Sequence, residues 1–134
     1  MKFQALVSGL LLSVAVTGAQ AEGWSVIDLG TVDERAECMR LAEATIDAYR
    51  AAYGGDGFTG RSEWTIGGYD LRGDPVDALI ICPIEGGVVV PFLIVYNSDS
   101  ENEARDTIAD RLSDIWDQQV ASGAGAAPAP GGGK

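Results

Sequence analysis

The spacing of apolar residues along the chain changes between the period of two that is typical of strands and the three-to-four spacing of helices. Residues Trp24 to Leu29 (WSVIDL) are bulky or β-branched at most positions and predict a first strand that Gly30 closes. A helix is expected directly after it, because Thr31 and Glu34 have the spacing of a capping box. The apolar stripe of this helix consists of Cys38, Leu41, Ala42, Thr45, Ile46, Tyr49 and Tyr53.

A loop and a second strand are expected after this helix. Residues 54–60 (GGDGFTG) are rich in glycine, which ends the helix. Residues 63–71 (EWTIGGYDL) alternate apolar and polar positions, and the phase changes by one residue across Gly67 and Gly68. A change of phase at glycines within a strand indicates a β-bulge.

The most apolar part of the chain predicts an antiparallel hairpin. Its strands are residues 76–84 and 88–96, on either side of the pair Gly86-Gly87. A two-residue turn at these glycines pairs Ile80 with Leu93. Each strand contains one proline, which lacks the N–H of a ladder, so the register stays open by one residue.

A second helix completes the predicted fold. Ser100 and Glu103 have capping-box spacing. The apolar stripe that follows consists of Ala104, Ile108, Leu112, Ile115 and Trp116. The order β-α-β-β-β-α predicts an α+β domain with a four-stranded, mainly antiparallel sheet and two helices, over residues 22–119. Residues 120–134 are expected to form a flexible tail of glycine, alanine and proline.

The first 21 residues resemble a secretory signal in their charge and hydropathy. Lys2 supplies the positive n-region, residues 5–16 form a short apolar run, and Ala19-Gln20-Ala21 is a small-x-small cleavage site. We therefore expect a mature chain that begins at Glu22 and is periplasmic or secreted. The alternative is a retained, uncleaved anchor, although the apolar run is shorter than the roughly 20 residues of a membrane-spanning helix.

The charge balance excludes several partners. The chain carries 9 basic and 20 acidic residues and no histidine, a formal net charge of −11. Removal of residues 1–21 takes away Lys2 and no acid, which makes the balance more negative still. Such a chain repels nucleic acid and anionic lipid, so neither is expected as a partner after signal cleavage. The missing histidines also exclude a His-based metal site and a histidine-activated nucleophile.

The two cysteines predict a disulfide between Cys38 and Cys82. An even pair in an exported chain is most simply a bridge. Cys38 lies on the apolar stripe of the first helix, and Cys82 shares a strand face with Ile80 and Ile84. Both side chains therefore point into the same layer, and the bridge joins the helix to the sheet.

Acidic residues are the remaining candidates for chemistry. One set falls at helical spacing along the last helix, as a cation-binding strip or a solvated face: Glu103, Asp106, Asp110, Asp114 and Asp117. The solvated face is preferred, because carboxylates on a straight helix diverge. A second set lies at strand ends and in loops: Asp28, Asp56, Glu63, Asp70, Asp74 and Asp77. The sequence assigns no catalytic residue, metal ligand or cofactor to either set.

Both faces of the predicted hairpin are apolar. The face of the disulfide also gathers Val76, Ala78, Ile84, Val89 and Val95 and is expected to be core. The other face collects Leu79, Ile81, Val90, Phe92, Ile94 and Tyr96. Either the last helix crosses to cover this second face, or both helices pack on the disulfide side and leave it for a partner. The second arrangement is preferred, since two helices on one side of an antiparallel sheet are common.

Two functions from different classes follow from these observations. The first is an exported, non-enzymatic interaction or binding module that uses the second face to bind an unknown protein partner or to form a homodimer. The second is a small exported hydrolase or lyase with a carboxylate pair near the turn between the second and third predicted strands. The sequence favours the first, because it displays no set of catalytic residues.

Overall fold

A computed structural model of the protein describes residues 23–71, 76–98 and 102–123. The predicted signal, the predicted cap at Ser100 and the residues after Gly123 lie outside the described part. The elements in chain order are β1 Gly23–Asp28, α1 Arg35–Tyr53, β2 Thr59–Arg61, β3 Thr65–Gly68, β4 Val76–Ile81, β5 Ile84–Glu85, β6 Val88–Val89, β7 Phe92–Asn97 and α2 Asn102–Ala121. The α+β class is confirmed. Helix α2 continues to Ala121, two residues past the predicted end of the domain.

The central hairpin has the predicted register. Strands β4 and β7 are antiparallel, and Ile80 lies opposite Leu93. Beyond them, the short β5–β6 ribbon closes at Gly86 and Gly87, whose φ angles are +59° and +90°. Positive φ at both central residues is the requirement of a type I′ turn, which glycine meets at no steric cost. The prolines divide the hairpin into these two ladders, and the carbonyl oxygen of Pro83 still accepts a hydrogen bond from the Val90 N–H at 3.0 Å.

The main sheet has five strands in the order β1-β7-β4-β3-β2, where the sequence predicted four. The additional strand, β2, lies within the glycine-rich stretch that was expected to be a loop. Its Gly60 pairs with Gly67 of β3, and the Tyr69 N–H donates to the Phe58 carbonyl at 3.0 Å. A strand of three residues with glycine at its centre has no apolar alternation in its sequence. Its presence is therefore shown only by its backbone pairing with β3.

Helix α1 begins later than the capping-box spacing predicted. Its N-cap is Glu34, no side chain caps it, and Thr31 takes no part in the helix. The chain stays extended at Val32, which exchanges two backbone hydrogen bonds with Val89 of β6 at 2.9 and 3.0 Å. This bridge competes with an earlier start of the helix and ties the end of β1 to the ribbon.

The expected β-bulge at Gly67 and Gly68 is absent. The register of β3 against both of its neighbours runs through the two glycines without an extra residue. The change of phase comes two residues later, at Asp70, which has φ +51°. A left-handed residue, which aspartate tolerates better than most, turns the chain so that Leu71 enters the core with no exposed surface.

Both helices pack on the disulfide side of the sheet. The residues that fill this layer include Leu41, Ile46, Tyr49, Ile66, Ile80, Leu93, Val95, Ile108, Leu112 and Trp116, each at most 2% exposed. The Trp116 indole donates to the Leu29 carbonyl at 3.2 Å, which fixes α2 beneath β1. Ile84 was predicted to belong to this core and is instead 56% exposed, because the β5–β6 ribbon projects beyond the helices, whereas its pairing partner Val89 is buried.

Candidate interaction surface

The five strands present a second face, which points away from the helices and which we call the open face. The pairing of the strands arranges its residues in three rows. The first row contains Trp24, Tyr96, Asp77, Tyr69 and Phe58. The second row contains Val26, Ile94, Leu79, Gly67 and Gly60. The third row contains Asp28, Phe92, Ile81 and Thr65. Most of the residues in these rows are apolar. No described helix packs against the rows, so the face is uncovered in the described part of the chain.

Aromatic side chains stand at both ends of the first row. At the β1 edge the rings of Trp24 and Tyr96 lie 4.5 Å apart, and at the β2 edge those of Phe58 and Tyr69 lie 4.8 Å apart. Trp24 is 61% exposed and Phe58 is 63% exposed. Large rings at this exposure are typical of surfaces that bind another molecule.

Two glycines allow the second aromatic pair to lie low on the sheet. A Cβ atom at Gly67 would stand 2.8 Å from the Tyr69 ring, and one at Gly60 would stand 2.9 Å from it. The ring therefore occupies the space that side chains would fill on a regular strand pair. Beside it is a shallow pocket of about 250 Å³, lined by Phe58, Gly60, Arg61, Ser62, Thr65, Gly67 and Tyr69.

The charged side chains on the three rows are two carboxylates. Asp77 lies in the first row on β4, the central strand, and its Oδ1 accepts a hydrogen bond from the Asp70 N–H at 3.1 Å. Asp28 lies at the exposed end of β1, and its Oδ1 accepts from the Gly30 N–H at 2.8 Å. Each carboxylate therefore orders a turn at an end of the sheet while standing on the open face.

Five arginine side chains of the described residues are engaged on the helical side of the sheet. The contacts are Arg35 with the Cys82 carbonyl, Arg50 with the carbonyls of Phe58 and Tyr69, Arg61 with the Glu43 carboxylate, Arg105 with the Ser25 hydroxyl, and Arg111 with the Tyr53 ring. Arg61 lines the rim of the pocket, but its guanidinium points to Glu43 on α1. In the described part of the chain, the open face is thus acidic where it is charged.

The six residues predicted for an interaction surface lie together on the open face. Leu79, Ile81, Phe92, Ile94 and Tyr96 occupy the central strands, and Val90 follows beyond the third row; all six are partly buried. The sequence did not identify the residues that enlarge this face at its two edges: Trp24, Val26, Phe58 and Tyr69. Trp24 and Val26 alternate within β1, but only the strand order shows that the side chains at the two edges join the face of the hairpin.

The predicted disulfide is present between Cys38 and Cys82, with Cα atoms 6.1 Å apart and both side chains fully buried. It joins the first turn of α1 to the residue after β4. The Cys82 N–H donates to the Trp64 carbonyl at 2.8 Å, and its carbonyl accepts from Arg35 Nε at 3.1 Å. The bridge is therefore a buried structural tie of the helical side.

The candidate acids for catalysis are dispersed over the fold. Of the second set, the structure brings Asp70 next to Asp77, through the backbone N–H of the first and the carboxylate of the second. Glu63 lines a shallow pocket with Arg35 and Trp64, and the lining of this pocket contains no second carboxylate among the described residues. Asp74 lies outside the described residues.

Most of the acidic set on the last helix is solvated. The exposed members in the described part are Asp106, Asp110, Asp114 and Asp117. Asp106 differs from the rest because the Ser25 hydroxyl donates a hydrogen bond to it, and this bond, with the nearby Arg105 guanidinium, lowers the pKa of its carboxyl. Arg105 Nε also donates to the Ser25 oxygen at 3.0 Å, so the three residues tie β1 to α2.

Searches for metal sites, membrane spans and relatives add no further site. No group of three or more acidic or cysteine ligands placed to hold a metal ion occurs among residues 23–71, 76–98 and 102–123. Neither described helix combines the length and the apolar composition of a membrane span. Comparison of the chain with protein-family models, curated proteins and solved structures finds no match. The function is therefore inferred from the open face itself.

Proposed function

We propose that the protein is an exported, non-enzymatic interaction module that binds another protein through its open face. The observation that carries this proposal is the apolar second face of a sheet whose first face is already filled by two helices. Antiparallel sheets with one solvated side ordinarily alternate apolar with polar residues. Here Leu79, Ile81, Phe92 and Ile94 occupy positions where solvent would favour polar side chains. Export is supported by the signal-like residues 1–21 and by the disulfide.

The dimensions of the open face suit a weak or transient interaction, whether the occupant is a second copy or a different protein. Five strands about 4.8 Å apart and three rows about 6.6 Å apart span roughly 24 by 20 Å, or about 480 Å². This is comparable with the largest apolar patch of a typical monomer, about 300–600 Å², which is often functional. Any one protein that covered this face would bury about 1,000 Å² in total, less than the roughly 1,200–2,000 Å² of stable interfaces, so the area indicates a transient interaction.

Charge favours a different protein over a second copy as the occupant. The chain has a formal net charge of −11, and the charged groups of the open face are the carboxylates Asp28 and Asp77. Two copies would bring like charges together, which opposes association, whereas a basic partner would be attracted during encounter. The proposed occupant is therefore a different protein with an apolar contact surface and basic residues around it.

The experiment compares the effect on partner affinity of an aspartate substitution at each of two exposed valines, both of which lie in strands. Val26→Asp places a charge on the open face at a position that is 63% exposed, and Val88→Asp places one on the β5–β6 ribbon at a position that is 40% exposed. A partner captured from the native compartment with the unmodified protein is purified and titrated against both variants. We expect at least about a tenfold loss of affinity for Val26→Asp and for Phe92→Asp, and less than about a twofold change for Val88→Asp.

Equal binding by all three variants would place the partner on another surface and refute the proposal. Circular dichroism of each variant checks that the fold is retained. Sedimentation of the unmodified protein provides a further test, because a dimer that Val26→Asp and Phe92→Asp both dissociate would identify a second copy as the occupant.

A further inference from the structure

We infer that the partner inserts a cationic side chain, a guanidinium in preference to an ammonium, against Asp77 on the open face. This inference rests on the proposed function, since it concerns the chemistry of the partner at that same surface. It assigns Asp77 as the specificity-determining residue of the face. The surrounding rings and aliphatic side chains supply the apolar contact.

The position of Asp77 makes a counter-charge necessary. It lies on β4, the third of five strands, opposite Tyr96 of β7. A partner that covers the first row therefore covers this carboxylate as well. A carboxylate removed from water without a cation or a set of hydrogen-bond donors is strongly destabilising. A purely apolar partner surface would lose most of its binding free energy here.

The neighbours of Asp77 also favour a cation. Tyr96 lies next to it on one side and stacks with Trp24, while Tyr69, one residue beyond the Gly68–Ala78 pair, lies next to it on the other and stacks with Phe58. Aromatic rings on both sides of a carboxylate offer cation–π contact in addition to the ion pair. A planar guanidinium can stack on a ring and donate to the carboxylate at the same time, which an ammonium does less well.

Asp28 provides an internal comparison. It is a carboxylate of the same face, and like Asp77 it accepts a backbone hydrogen bond within a turn. It is exposed at the end of the edge strand β1, so a bound partner leaves it in contact with water. Ion pairs at a wet rim contribute little to affinity. The inference therefore predicts a large effect at Asp77 and a small one at Asp28.

The test uses three synthetic 16-residue amphipathic helical peptides as probes, measured by isothermal titration calorimetry. All three share one leucine stripe, and the positions that flank it carry arginine, glutamine or glutamate. We expect the arginine peptide to bind the unmodified protein at least about tenfold more tightly than the glutamine peptide. Asp77→Asn, which retains the oxygen that accepts from the Asp70 N–H, should remove that difference, and Asp28→Asn should change it less than about threefold.

The outcomes separate this inference from the proposed function. If Val26→Asp weakens every peptide but Asp77→Asn still prefers the arginine peptide to the glutamine peptide as strongly as the unmodified protein does, the open face binds and the cation inference is wrong. If Val26→Asp leaves every peptide bound as before, the proposed surface itself is wrong. An arginine peptide that binds no better than the glutamate peptide, or that does not bind, also overturns the inference.

Discussion

The two faces of the central sheet are made from alternate residues of the same strands, yet only one of them is core. Along β7, Leu93 and Val95 have no exposed surface, whereas their neighbours Ile94 and Tyr96 are only partly buried. The side chains on the two faces are similarly apolar, so hydropathy does not explain the difference. What separates the faces is the placement of the two helices, and that placement is determined by a few specific contacts.

Each helix is held on the disulfide side of the sheet by its own contacts. The Cys38–Cys82 bridge joins α1 to the end of β4. Helix α2 is joined to β1 by the Ser25 hydroxyl, which donates to Asp106, and by the Trp116 indole, which donates to the Leu29 carbonyl. An apolar strand face therefore becomes core or binding surface depending on the side of the sheet on which the connecting loops place the helices. The open face has no helix against it in the described part of the chain, although its side chains along β7 are as apolar as those of the core.

Loss of the disulfide should have the largest effect on this arrangement. A bridge that closes a loop with a sequence separation of 44 contributes about 4 kcal/mol by the loop-entropy estimate, a large part of the roughly 5–15 kcal/mol of a small domain. Cys82→Ala should therefore lower the melting temperature steeply, as should reductant applied to the unmodified protein. Thermal denaturation followed by circular dichroism measures both. Reductant should leave Cys38→Ala/Cys82→Ala unchanged, and an equal melting temperature for that variant and the oxidised protein would contradict the prediction.

Truncation of adjacent residues on β7 compares the two faces directly. Leu93→Ala removes a fully buried side chain from beneath the helices and should cost about 3 kcal/mol. Ile94→Ala removes a partly buried side chain from the open face and should cost less than about 1 kcal/mol. Urea denaturation gives both free energies of unfolding. Similar losses at the two positions would mean that the open face is covered in solution, and would remove the basis of the proposed function.

The sequence was sufficient to predict the elements whose apolar residues recur at a regular spacing. Both helices and the central hairpin follow from periodicity, and the pairing of Ile80 with Leu93 follows from a two-residue glycine turn. The disulfide follows because both cysteines lie on stripes that face the same layer. In each case the local sequence pattern agrees with the packing that the tertiary structure needs, and this agreement is why these predictions hold.

The rest depended on strand order and backbone conformation, which leave no periodic signal. Residues Thr59–Arg61 form a strand because β3 pairs with them, not because they alternate. The edges of the open face, formed by Trp24 and by Phe58, belong to β1 and to the residue before β2, and nothing local indicates that these elements flank one sheet. The open face was therefore predicted at its centre and missed at both margins.

The backbone conformation of Asp70 determines on which face of the sheet the Leu71 side chain lies. Substitution of Asp70 should have an intermediate effect on the free energy of unfolding. At φ +51° a residue with a Cβ atom is disfavoured, glycine is not, and aspartate is more tolerant than alanine. Asp70→Ala should cost about 1 kcal/mol, because the left-handed turn that brings Leu71 into the core becomes harder to form. Asp70→Gly should cost less than Asp70→Ala. Urea denaturation of the two variants provides the comparison, and equal losses would show that the side chain of Asp70, rather than its backbone conformation, is what matters.

Ser25→Ala should have the smallest effect, and that effect should depend on pH. The Ser25 hydroxyl lowers the pKa of the Asp106 carboxyl below its ordinary value of 3.8, so ionised Asp106 is favoured in the folded protein. A group whose pKa is lowered by folding stabilises the folded state above its unfolded pKa, and this stabilisation is lost as the pH falls through the folded pKa. The unmodified protein should therefore exceed Ser25→Ala in stability at pH 7 by a small amount, and by less at pH 3.

Urea denaturation midpoints of both proteins at pH 7 and pH 3 measure this difference. Asp106→Asn is the control, because it removes the titrating group and should make the Ser25→Ala difference the same at both pH values. Asp106 is exposed, so solvent screens its interactions, which is why the effect is expected to be the smallest of the four. A Ser25→Ala difference that grows towards pH 3 would have the wrong sign for a lowered pKa. A Ser25→Ala difference that is equal at the two pH values would mean that the hydroxyl holds β1 to α2 through Arg105 alone, and that the contact does not depend on the charge of Asp106.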